Sequence, residues 1–313
     1  MTIGRLRKTG SDGRASGFLS LMLLSLTLLL GMIFASEGAE YVKDGMRLAV
    51  GCVIPSSFPF MILSDIYVAY GRPENIGVLR WAFTKLFGMP ASGLGAFICG
   101  NLGGFPIGAK MCAELYTAGR LERSEAERLI ALSNNPSFAF VVGGVGIGML
   151  GDIGLGFLLY FSILTSTVIC GIITRGKTTD FDFIKDINRQ NYNFVESVKR
   201  SGTSCVSIIA FISTFSVICG IIKNRVKNAL ILYPFFALCE VTNAVDLTVT
   251  TIGFSLAGRL ALCAFALGFG GFSVGMQSAI FTSSAGLKMR KYYLIKLLSG
   301  MLSASIASLI FLI

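Results

Sequence analysis

The chain has 313 residues, of which 53% are hydrophobic and 14% charged, with a mean hydropathy of +0.73, far more apolar surface than a soluble domain of this size uses. Its formal charge of +10 does not indicate a nucleic-acid binder, because the basic residues are spread over loops between apolar runs and form no single basic face. There is no histidine and the eight cysteines form no CxxC pair, so neither a metal site nor a disulfide framework is indicated, and no cofactor is expected.

Residues 1–17, with Arg5, Arg7, Lys8 and Arg14, form a basic N-terminus that the positive-inside tendency places in the cytoplasm. Phe18 to Ala35 is long enough to be a retained span rather than a signal peptide. The acidic Glu37, Glu40 and Asp44 then lie outside, and residues 18–313 form one transmembrane domain. Further plain spans are Leu48 to Tyr70, Ala131 to Leu150, Ile153 to Thr174, Cys205 to Ile222, Ala229 to Val245 and Tyr292 to Ile313, each near the ~20 residues a bilayer requires.

Two longer apolar stretches, Gly88 to Ala118 and Phe254 to Leu287, are interrupted by glycines: Gly103, Gly104 and Gly108 in the first, Gly270, Gly271 and Gly275 in the second. Such breaks free backbone groups that lipid cannot satisfy, so they must face protein or water. Each stretch is either a re-entrant hairpin with its tip near the midplane or a discontinuous helix that crosses once. The charge count favours hairpins, because single crossings put the basic segment Arg175 to Arg200 outside. The expected fold is therefore an all-α polytopic bundle.

Gly103 to Lys110 parallels Gly270 to Gln277 at an offset of 167 residues, which also pairs Ala118-Gly119 with Ala285-Gly286. Upstream, Phe58 to Asp65 parallels Tyr233 to Glu240 at an offset of 175. The order aromatic-Pro-Phe, acid, Gly-Gly-Phe, Ala-Gly thus occurs twice, the weak internal symmetry expected of secondary transporters. It gives repeat one about 48–174, repeat two about 205–313 and a linker over 175–204, with parallel or inverted orientation left open.

Charges and amides at membrane depth are the candidate binding residues, since each is costly there without a partner or water. Lys110 follows the first glycine break, where Glu114 four residues on is an alternative structural partner. Glu240, with Thr242 and Asn243, forms a polar cluster in a span begun by Tyr233-Pro234; its alternative is pairing with Arg259. Asn134 and Asn135 open an apolar run, either as a helix cap or as donors to an oxygen-rich solute. Ser273 and Gln277 face the same place from the second half. The charged stretch Gly119 to Arg128 reads as a solvated helix face. Gly143 to Gly148 suits close helix packing and lacks the Lys-Ser/Thr of a phosphate loop.

At Pro55 to Phe60, Gly104 to Lys110, Glu125 to Leu129, Ser133 to Asn135, Cys239 to Asn243 and Gly270 to Gln277 the chain resembles the YlbJ-type sporulation integral membrane proteins. These are related to the nucleoside-recognition or Gate domain proteins and, more distantly, to concentrative nucleoside transporters. The resemblance implies a role in endospore formation and movement of a small aromatic dicarboxylate such as dipicolinic acid across a forespore membrane. Gly275 stands where that family often has histidine, and Pro136-Ser137 replaces its usual Ser-Gly. The reading is thus a non-enzymatic permease of a bacterial cytoplasmic or forespore membrane, coupled to H+ or Na+. Its partners are the bilayer and a small polar or anionic solute; the alternatives are a sporulation scaffold and a nucleoside-type transporter. The oligomeric state is open.

Overall fold

The computed structural model describes residues 35–70, 77–176, 192–226 and 228–312, and among them the chain is all-helical, without a strand. The expected basic N-terminus and all but the last residue of the first expected span lie outside the described residues, as does most of the first half of the expected linker. Among the described residues four helices are long and apolar enough to cross a membrane: Ile153–Ile173, Phe194–Arg225, Leu256–Ser284 and Arg290–Phe311.

One long antiparallel pair frames the described residues. Helix α1 (Ala35–Leu48) runs through a widened turn, Ala49–Val53, into α2 (Ile54–Tyr70). The widening falls just before Pro55, whose ring would clash with the carbonyl four residues earlier in a regular turn. Gly77–Phe87 forms α3, and Phe194–Arg225 forms α8, which packs along α1 and α2. Gly45 faces the Ser213 backbone and Gly220 makes room for the Tyr41 ring, so the two helices pack closely. Glu37 pairs with Arg225 at 3.5 Å at one end and Asp65 with Arg200 at 3.2 Å at the other. The 32 residues of α8 extend roughly 48 Å at 1.5 Å per residue, more than the ~30 Å hydrocarbon core.

Two helical hairpins approach the middle of this pair from its opposite ends. The first consists of α4 (Leu94–Gly103) and α5 (Ile107–Thr117). Its outer ends are tied by the Ser92 hydroxyl, which donates to the Arg120 carbonyl at 2.7 Å, and the arms come together where Gly100 faces Gly108. The second consists of α9 (Ala229–Cys239) and α10 (Val241–Thr250), joined by the single extended residue Glu240. Asp246 on α10 pairs with Lys223 near the end of α8 at 3.5 Å, so α10 returns to the end from which α9 starts. The arms have ten and eleven residues in one hairpin, eleven and ten in the other.

This differs from the expected placement of the hairpins. Ala229 to Val245 reads as one plain span, but a residue at φ −151°, ψ 121° ends one helix and caps the next. The second glycine stretch, expected to be the second hairpin, runs on through Gly270 as one apolar span, Leu256–Ser284. Its halves, α11 (Leu256–Phe269) and α12 (Gly271–Ser284), meet at left-handed Gly270, φ +85° and ψ −18°, which offsets the helix without reversing it.

Between the hairpins come α6 (Arg123–Ser133), an irregular Asn134–Phe138 segment, the wide π-helical segment Ala139–Met149 and α7 (Ile153–Ile173). The last helix, α13 (Arg290–Leu312), packs on α11, α7 and α6. The charged stretch is a solvated face at Glu122, Arg123 and Ser124 but not beyond: Glu125, Glu127 and Arg128 are all buried. The Arg128 guanidinium donates to the Thr174 and Gly88 carbonyls, each at 2.7 Å, which satisfies two helix ends at once. Glu127 accepts the Lys288 N–H at 3.1 Å, and Glu125 completes a capping box with Glu122.

The first hairpin tip tests this packing. Gly104 has φ +85° and ψ −178°, a region open essentially to glycine alone, and a Cβ there would lie 2.6 Å from the Ser137 nitrogen. Gly119 also has positive φ, but a Cβ there meets nothing. Gly119→Ala is expected to cost about 1–2 kcal/mol from backbone handedness alone. Gly104→Ala should lower the thermal unfolding midpoint in detergent well beyond that. Equal midpoints would mean that Ser137 does not hold the tip.

Candidate functional site

Both hairpin tips, the irregular segment after α6 and the first turns of α12 border one cavity. The first tip contributes Gly104 and Phe105, and the irregular segment after α6 contributes Ser137. The second tip contributes Glu240, Val241 and Thr242, and α12 contributes Val274 and Gln277. Val53 and Ser57, near the middle of α1–α2, and Ile212, near the middle of α8, close the third side. The tips touch through the Gly270–Gly271 break: a Cβ at Gly270 would be 3.3 Å from the Phe105 ring, and one at Gly271 3.1 Å from the Cys239 backbone. Ser57 also donates to the Phe105 carbonyl at 3.3 Å.

Glu240 is 2% exposed, and among the described residues no basic group lies within ion-pair distance of it. Its Oε2 accepts the Asn243 backbone N–H at 2.7 Å and the Asn243 amide at 2.9 Å, so the carboxylate starts α10 at the positive end of that helix. The expected alternative partner, Arg259, donates instead to the Thr251 carbonyl at 3.2 Å. Gln277 lines the cavity, and its amide donates to Ser273 at 3.2 Å. Glu240, Thr242, Asn243, Ser273 and Gln277 thus share one location.

Asn134 and Asn135 lie one layer behind, fully buried. Asn134 donates to Ser278 at 2.8 Å and Tyr292 at 3.2 Å, while its Oδ1 has no partner among the described residues. Asn135 donates to Asn101 at 2.7 Å and Thr167 at 3.0 Å and accepts from Lys296 at 2.6 Å. These amides clamp the broken crossing to α4, α7, α12 and α13.

Lys110 stands outside the cavity, in a buried charge cluster between α2, α5 and the start of α8. Its ammonium pairs with Asp65 and with Glu114 at 3.3 Å, and donates to Ser64 at 3.0 Å and the Met61 carbonyl at 3.2 Å. Asp65 also accepts from Ser197 at 2.5 Å and Arg200 at 3.2 Å. Every charge in this cluster is answered by an opposite one.

Among the remaining glycines, Gly108 abuts the Ser133 carbonyl and Gly103 the Phe60 ring, so both serve close approach at the first tip. Gly275 faces the Tyr293 hydroxyl with no room for a Cβ. The residue that the sequence reading misses is Lys296. It is fully buried in α13, 5.8 Å from the centre of the Phe105 ring, and the signal for it is a lone basic residue inside the apolar run Tyr292 to Ile313.

No family model matches the chain, and no solved structure matches it. It is similar to the sporulation integral membrane protein YlbJ of Bacillus subtilis (strain 168), with 26% identity over an alignment of 309 residues covering 85% of this chain and 75% of the relative. Apolar helices long enough to cross a bilayer, together with this likeness, make the chain an integral membrane protein that resembles the YlbJ-type sporulation membrane proteins over most of its length.

Proposed function

We propose that this protein is a permease of an endospore-forming bacterium that moves a small polar or anionic solute across the cytoplasmic or forespore membrane. The observation that carries this reading is the convergence of two hairpin tips and two helix breaks on one cavity that holds a buried acid, Glu240, with no basic partner among the described residues. Irregular backbone at membrane depth is tolerated where it lines a solute path, and half-helix ends there supply donors and acceptors. Each arm of ten or eleven residues is about 15–17 Å long, half of the ~30 Å hydrocarbon thickness, so both tips reach the midplane as re-entrant hairpins.

The end that carries Arg120, Arg123, Arg128, Arg175, Arg200 and Lys288 faces the cytoplasm under the positive-inside tendency. In this reading the first hairpin enters from the cytoplasm and the second from the opposite face, and the two halves are inverted repeats. Glu240, Thr242, Asn243, Ser273 and Gln277 form the binding surface, with Asn134 and Asn135 behind it, and H+ or Na+ drives the cycle. The Lys110 cluster closes the cytoplasmic side.

The family resemblance points to dipicolinic acid as the solute. The test is uptake of labelled dipicolinate and, separately, of uridine into proteoliposomes containing the whole chain. Dipicolinate flux several-fold above that of protein-free liposomes is expected. Uridine flux alone would make the protein a nucleoside-type transporter, and flux no greater than in protein-free liposomes for both would make it a scaffold.

A further inference from the structure

We infer that Lys296 is the anion-binding group of this permease, holding a carboxylate of the solute behind the Phe105 ring. The inference rests on the permease reading and adds a residue and a ligand chemistry to it. Lys296 is fully buried, and among the described residues no carboxylate lies within ion-pair distance of its ammonium. Of the three protons that an ammonium can donate, one is used, on Asn135 Oδ1 at 2.6 Å. A buried cation so sparsely answered is costly unless it has a role for a negative charge. Lys110 shows the contrast: it is equally buried, yet has two carboxylates, a hydroxyl and a carbonyl around it.

The location supports the role. Phe105 is the first hairpin's tip residue; one side of it lines the cavity, and Lys296 stands 5.8 Å from its centre. The ring packs against Gly270, and it belongs to the cavity lining, whereas Lys296 does not. A turn of Phe105 about its χ angles, or a small movement of the tip, opens Lys296 to a solute already in the cavity. The solute carboxylate then replaces the cation–ring contact with an ion pair, worth more in a desolvated setting. Asn135, joined to Asn101 and Thr167, fixes the ammonium in position.

The experiment is equilibrium binding of pyridine-2,6-dicarboxylate and of its neutral diamide to the purified full chain in detergent, with thermal unfolding of each variant as a fold control. Lys296→Gln removes the charge while its amide can still donate to Asn135. Asn135→Asp instead supplies Lys296 with an internal carboxylate, so it tests the same charge without emptying the site. Both should weaken binding of the dicarboxylate at least tenfold and leave the diamide unchanged. If Lys296→Gln does not fold, Asn135→Asp decides alone. Dicarboxylate affinity in Asn135→Asp equal to that of wild type overturns the inference, as does a wild type that binds no dicarboxylate. Uptake of a solute by wild type without dicarboxylate binding removes Lys296 and leaves the permease standing; no uptake of any solute removes the permease reading itself.

Discussion

Lys110→Met will unfold at a markedly lower temperature than wild type, and adding Asp65→Asn will recover most of the loss. The single change removes the cation that Asp65 and Glu114 share and leaves Asp65, 5% exposed, with Ser197 and the half-exposed Arg200. Breaking one side of a buried pair costs about 3–5 kcal/mol, because the surviving charge stays desolvated. Neutralising that charge as well takes away the penalty, while the amide oxygen of the substituted side chain still accepts from Ser197. Thermal unfolding of the two single variants and the double variant in one detergent forms the cycle. Additive losses would mean that the two groups do not act as a pair. The double variant also separates stability from transport: a protein that regains its stability but carries no solute would place Lys110 in the solute path.

Glu240→Gln will abolish the dependence of uptake on an imposed proton gradient and leave downhill exchange in place. The amide oxygen of glutamine can still accept the Asn243 N–H, so α10 keeps its start, and the change is one of charge rather than shape. In the permease reading, a carboxylate with no basic partner among the described residues can take up a proton from one side and lose it to the other. Glu240→Ala, which loses the cap too, should additionally cost about 0.5–2 kcal/mol of stability. The readout is uptake into proteoliposomes with and without a pH difference, repeated with a sodium gradient. Equal proton dependence in wild type and Glu240→Gln would exclude this residue as the coupling group.

Much of the fold is legible because apolar run length is a direct consequence of bilayer thickness. Ile153 to Thr174 reads as a span and folds as Ile153–Ile173. Glu240 is legible as a site candidate for the same reason, since an acid inside an apolar span is expensive. Its hairpin is not, because one extended residue between two helices leaves no compositional trace, whereas glycine clusters advertise breaks without saying which way the chain leaves them. Gly103-Gly104-Phe105 and Gly270-Gly271-Phe272 are alike in sequence and opposite in geometry. The first is clamped by Ser137; the second is threaded between Phe105 and Cys239. Lys296 escapes because a single lysine within the first turns of the expected span Tyr292 to Ile313 is also where a snorkelling base would stand.

The hairpins have a thermodynamic consequence. Their arms are matched in length, ten and eleven residues against eleven and ten, and they start from opposite ends of the same long helix. In the permease reading a solute at their tips therefore faces similar distances to either aqueous phase. In the permease reading the net flow is set by the concentrations on the two sides and by the coupled ion, each tenfold ratio contributing about 1.4 kcal/mol. Reversing the gradient across a proteoliposome should reverse the flux, and the direction followed in a cell belongs to the reactions that make and consume the solute.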